Sequence, residues 1–249
     1  MMKIRFYIFI PLALLSITLR AQKVILQGKI TYERKENLHK QIEEDSKQWF
    51  NQIKNQMPKY RVDYMQLSFN NNQSLYTLLK EEENKLISSY YWRIAFDNVV
   101  MKVLKNNRIT QQKTVYEKIY LIEDSIPQYE WKITGEYREI AGYSCRKATT
   151  ILYDSMYVIA FYTEEIPVSS GPESFSGLPG MILGVVIPMI HYTFFAISVE
   201  GVPVREEDLA FKWNKKSQSI NQEAMLKELD AAMKDWGKYG RKNYWKVVF

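Results

Sequence analysis

From Val24 onward the sequence keeps returning to short stretches in which apolar and polar side chains alternate, each closed by a pair of small polar residues. Alternation places every second residue on one face, which is the signature of a strand with one buried side. Leu26, Gly28, Ile30 and Tyr32 open the series within Val24–Arg34, and Tyr60–Asn70 carries Met65, Leu67 and Phe69. The turn residues Asn70-Asn71-Asn72 then lead into Gln73–Leu79, which predicts a hairpin. Similar stretches follow at Ser88–Phe96, Val99–Lys105, Thr114–Ile122, Trp131–Ile140, Tyr143–Tyr153 and Met156–Tyr162. Asp97-Asn98, Asn106-Asn107, Asp124-Ser125 and Asp154-Ser155 separate them. So many short strands with polar turns predict a mostly antiparallel meander and exclude alternating parallel βα units.

Glu173 and Glu200 bracket 26 uncharged residues, a length that suits a membrane span. Gly177, Pro179, Gly180, Gly184 and Pro188 within it would break the backbone hydrogen bonding that lipid demands. The stretch instead reads as two buried strands, Met181–Ile187 and His191–Val199, joined near Pro188, so no transmembrane segment is expected in the mature chain.

Residues 1–21 have a different pattern: Lys3 and Arg5, an apolar run from Phe6 to Leu19, then Arg20-Ala21. This is the layout of a secretory signal peptide cleaved after Ala21. It leaves one domain over residues 22–249, in the periplasm or outside the cell. No cysteine follows the apolar run, which excludes a lipid-anchored lipoprotein. Cleavage takes three basic side chains away, leaving 31 against 28 acids, a net charge of +3 instead of +6. That is too little for nucleic acid, whose binding needs a dense stripe of Lys and Arg. One cysteine, Cys145, excludes a disulfide framework and any CxxC metal or redox motif.

Two segments have helical period. Leu38, Ile42, Trp49, Ile53 and Met57 recur at spacings near four or seven, predicting an amphipathic helix over 36–56 that ends before Pro58. Ser219 and Gln222 have capping-box spacing ahead of Met225, Leu229, Ala232 and Trp236, predicting a second helix over about 221–235. The expected fold class is α+β: a strongly curved antiparallel sheet, a partial barrel of roughly eight to eleven strands, with the first helix across its face and the second at an edge.

Several phrases occur in a fixed order: Gly28-Lys29-Ile30-Thr31-Tyr32, Ile140-Ala141-Gly142-Tyr143-Ser144-Cys145, Phe161-Tyr162-Thr163-Glu164-Glu165-Ile166-Pro167, Gly171-Pro172-Glu173-Ser174-Phe175 and Gly177-Leu178-Pro179-Gly180-Met181-Ile182. Together they resemble the GLPGLI family over about residues 24–200. Met181 stands where the name-giving motif has Leu, and Phe161 where the family usually has Trp. The resemblance implies an exported protein of Gram-negative envelopes, often encoded near outer-membrane receptor systems, with no established activity.

Ser169–Gly180 concentrates Gly and Pro between two strands, and Leu178-Pro179-Gly180 suits a tight turn. One reading is a structural crossover. The other is a rigid rim for a ligand or partner, with Tyr162, Pro167, Gly171, Pro172, Phe175, Gly177, Leu178, Pro179 and Gly180 as its binding residues. Phosphate-loop spacings are absent. His191 has no partner at triad or metal spacing, the serines lie outside any nucleophile elbow, and no cofactor or metal is implied. The functional expectation is a non-catalytic envelope protein that binds a hydrophobic small molecule or an outer-membrane protein. A carboxylate-dependent hydrolase using Asp154, Glu164, Glu165 or Glu173 is the alternative, and a thiol-dependent protein would require an accessible Cys145.

Overall fold

The computed structural model describes residues 24–81, 93–214, 217 and 219–248. Export and cleavage at residues 1–21 therefore lie outside the described residues, as does most of the expected strand at 88–96. Its described end, 93–96, is not a strand.

Twelve strands form one sheet among the described residues. The first meander comprises β1 (Gly28–Asn37), β2 (Tyr60–Phe69), β3 (Gln73–Glu81), β4 (Val99–Val103), β5 (Arg108–Val115) and β6 (Lys118–Ser125). The second comprises β7 (Lys132–Ile140), β8 (Tyr143–Leu152), β9 (Met156–Thr163), β10 (Met181–Ile187) and β11 (Tyr192–Glu200). They join through an antiparallel β1–β11 ladder, in which Tyr32 faces Ala196 across a bulge. The two-residue β12 (Ser219–Ile220) then adds parallel to β6.

The order β12-β6-β5-β4-β3-β2-β1-β11-β10-β9-β8-β7 leaves β12 and β7 as separate edges. This corrects the expected α+β partial barrel: the sheet is open and mixed, not strongly curled, and it dominates a fold with four short helices among the described residues. Closure is one way to bury a sheet face, and here the chain uses another. Segment 164–180 and the C-terminal helices lie on that face and exclude water from it.

Alternation in β1 is complete, with Gly28, Ile30, Tyr32, Arg34 and Glu36 buried and their neighbours half-buried. Ile30, Tyr32, Met65, Leu67, Phe69, Tyr76, Val100 and Leu183 share one core cluster. Each such large apolar side chain contributes roughly 1.5–3 kcal/mol on burial. A second cluster fills β8–β11 with Phe175 and Leu178, and a third places Met225, Leu229, Met233 and Val247 on β5 and β6.

The predicted helix over 36–56 is two helices, α1 (Leu38–Asp45) and α2 (Lys47–Ile53). Ser46 ends one and caps the next, its hydroxyl accepting from Trp49 N at 3.3 Å. A Ser at that point offers the backbone a competing hydrogen bond, which favours a break. These helices connect β1 to β2 and form their own small cluster of Leu38, Ile42 and Met57 instead of crossing the sheet. The C-terminal helix α3 (Gln222–Met233) is capped by Asn221, whose side chain accepts from Ala224 N at 2.8 Å, in place of the expected Ser219. A last helix, α4 (Gly237–Val248), had no counterpart in the sequence reading. No described helix is long and apolar enough to cross a membrane.

Candidate functional site

The segment between β9 and β10 is an interior strap. Ser170 to Ser176, Leu178 and Gly180 are all buried, while Pro167, Gly177 and Pro179 remain exposed. Its backbone needs are met by the fold around it: Met181 N donates to Ile166 O at 2.9 Å and Ile182 N to Ser170 O at 2.8 Å. Trp131 Nε1 donates to Ser176 O at 2.8 Å, and Tyr129 pairs with Ser174 at 2.9 Å. Ser74 Oγ on β3 meets Ser170 Oγ at 2.8 Å.

Lys102 on β4 fixes the centre of the strap. Its fully buried ammonium donates to the carbonyls of Gly171, Glu173 and Phe175 at 2.8, 2.7 and 2.8 Å. Three carbonyls thus take all three of its protons, which is how a buried cation is accommodated. Burial draws Lys102 down to about 7, with the nearby Glu173 charge opposing the shift.

The glycines of the motif serve distinct purposes. Gly177 sits at φ +88, a conformation that L side chains rarely adopt. At Gly180 the limit is space, because a Cβ there would stand 2.1 Å from Thr163 O.

Glu173 is buried in the strap at φ 49. It accepts from Asn98 Nδ2 at 3.1 Å and lies 3.7 Å from Arg34. Arg34 also donates to Asp63 at 2.9 Å, and Asp63 takes a second bond from Arg93 at 2.6 Å. Beside this chain, Glu36 accepts from Arg61 at 2.9 Å and Lys246 at 2.7 Å. Burial alone would raise the Glu36 carboxyl, but Lys246 and Arg61 hold it down to about 2. The cavity between these groups measures about 10 Å³, room for a single water.

The other acids do not converge on a cleft. Asp154 is exposed in the turn before β9, and Glu164 is exposed just after it. An eight-residue strand separates them, roughly 26 Å at 3.3 Å per residue, against the 5–10 Å that glycoside hydrolysis uses. His191 ends a 3₁₀ turn in the left-handed region and contacts Glu44 at 2.8 Å. Cys145 is fully buried, and its thiol is pushed up to about 12 by burial, with Glu165 adding to the shift. Among the described residues no group of three His, Cys, Asp or Glu side chains is placed to hold a metal. Tyr162, which the sequence proposed for the rim, points into the second core cluster and is 1% exposed.

A larger depression lies elsewhere. A groove of about 700 Å³ opens between α3, α4 and the turns at Ser155 and Met189, with Met189, Met233, Tyr244 and Trp245 along it. Gly237, at φ +56, turns the chain between the helices, and Gly240 lets them approach: a Cβ there would be 2.4 Å from Met233 O. Sequence reasoning missed this site, although Lys234–Lys246 interleaves basic and aromatic residues in a readable way.

A family model described as a protein of unknown function (Porph_ging) matches residues 152–184, from the end of β8 through β9 and the strap into β10. No curated protein matches the chain. Two structures of PNGF-II, in different space groups, superpose with TM-scores of 0.52 and 0.51 at 18% identity. They cover 82% and 89% of this chain but 32% and 33% of their own. The chain therefore spans about a third of those proteins, and the likeness concerns fold alone. An uncharacterized conserved protein from Thermus thermophilus gives a TM-score of 0.39 at 8% identity, covering 80% of this chain and 93% of its own, and carries no argument.

Proposed function

We propose that this protein is exported to the cell envelope, in the manner of the GLPGLI family it resembles, and binds a hydrophobic ligand or an outer-membrane partner without transforming it. The observation that carries this reading is a contrast in how side chains are spent. The buried groups Arg34, Asp63, Glu36 and Arg61 are tied to one another and to Lys246, whereas the groove of about 700 Å³ is lined by Met189, Met233, Tyr244 and Trp245. Its volume falls in the range of small-molecule pockets, which favours a ligand over a protein partner.

In this reading the strap is the support. Gly171, Pro172, Phe175, Leu178 and Gly180, with Tyr162 beneath them, hold the two meanders in register, and the exposed Pro167, Gly177 and Pro179 mark the surface left to a partner. Expression of the full chain with its leader, followed by native mass spectrometry of envelope-purified protein, tests the proposal. The expected product begins at Gln22 and retains an apolar adduct. A product with its leader uncut in the cytosol overturns the export, and turnover of a substrate overturns the binding role.

A further inference from the structure

The charges around the groove narrow the kind of ligand it suits. Two cations, Lys234 and Arg241, and one acid, Asp230, line it, and all three are exposed. Neither cation makes an ion pair among the described residues. Two further lysines of α4 are committed elsewhere: Lys242 pairs with Asp45 at 2.7 Å and Lys246 with Glu36 at 2.7 Å. The groove therefore combines an apolar floor, aromatic walls and an uncompensated positive charge at its mouth.

Resting on the binding role proposed above, we propose that this groove takes an amphiphile with one acyl chain and an anionic head. The chain lies along Met189, Met233 and Trp245, burying apolar surface at roughly 25 cal/mol per Å². Tyr244 and Trp245 suit such a boundary because each has an apolar body and one polar atom. The head sits between Lys234 and Arg241, and the arginine fork pairs with a carboxylate or phosphate through two parallel hydrogen bonds. Asp230 disfavours a doubly charged head and leaves the balance suited to one negative charge. A neutral chain would gain the burial but leave both cations without an anion.

Brominated dodecanoate and brominated dodecyl maltoside, titrated into mature protein, separate the anionic from the neutral case. Bromine quenches tryptophan fluorescence on contact, and Trp245→Phe identifies the quenched residue. The expected result is saturable quenching by dodecanoate, largely lost in Trp245→Phe. Lys234→Glu with Arg241→Glu should weaken dodecanoate binding at least tenfold and leave the maltoside unchanged. Both substitutions are at exposed positions, and circular dichroism confirms the fold. Equal quenching by both probes, unaffected by charge reversal, overturns the anionic head and leaves the binding role standing. No quenching by either overturns the groove as the site, and an adduct retained in native mass spectrometry would then place binding elsewhere.

Discussion

The ammonium of Lys102 on β4 and the main-chain carbonyl of Glu173 lie 2.7 Å apart inside the protein, joining strand and strap across 71 residues of sequence. The same ammonium reaches Gly171 and Phe175, so one side chain holds three points of the strap on the first meander. Replacing it with an apolar residue of similar length leaves three buried carbonyls without a donor. Lys102→Met should lower unfolding free energy by about 3 kcal/mol. Urea titration measures this as a shifted midpoint with an unchanged slope.

Glu36 makes stability depend on acid. Its carboxyl titrates near 2 in the folded protein, below its ordinary value of 4.5, so the unfolded chain binds a proton first as pH falls. The stabilisation is complete above about pH 4.5 and is lost progressively down to pH 2, on the order of 3 kcal/mol. Urea midpoints across that range should fall steeply for the native chain. Glu36→Gln should be less stable at neutral pH and flatter over the same window.

Cys145 is predicted to be inert. Full burial and a thiol held near 12 deny it both access and the thiolate form. Maleimide should label the folded protein negligibly and react completely after denaturation. Rapid labelling without denaturant would revive a thiol-dependent role.

Gly180 cannot gain a side chain without moving backbone, since its Cβ would press on Thr163 O. Gly180→Ala should destabilise by about 3 kcal/mol or more, whereas Gly135→Ala, where nothing lies within 4 Å, should change stability by less than about 1 kcal/mol. Thermal unfolding of the two variants distinguishes close approach from a general effect of removing glycine.

Strands were legible wherever alternation coincided with polar turn residues, as in β2, β3, β8 and β9. The β5–β6 hairpin was less so, because its turn uses Tyr116 at φ 54 instead of Gly or Asn, and the buried face of β5 includes Gln111 and Lys113. A buried lysine reads as a solvent-facing residue until its partner is known, and that of Lys113 is Val247 O, 134 residues away. The same distance in sequence hid Lys102 and the role of the strap. Loops rich in Gly and Pro normally run over the surface, and nothing local signals that this one is covered. The meander was therefore readable and its open edges were not: curvature depends on what covers the sheet, which only long-range contacts decide.

Occupancy of the C-terminal groove by an apolar ligand can be read from native mass spectrometry of protein purified from the envelope without detergent. The comparison is between the native chain and Met189→Asp, which puts a charge on the groove floor at a position already 40% exposed. The expected result is a mass above that of the mature polypeptide in the native chain and the bare polypeptide mass in the variant. Bare polypeptide in both, or the same adduct in both, would be incompatible with a ligand site in this groove.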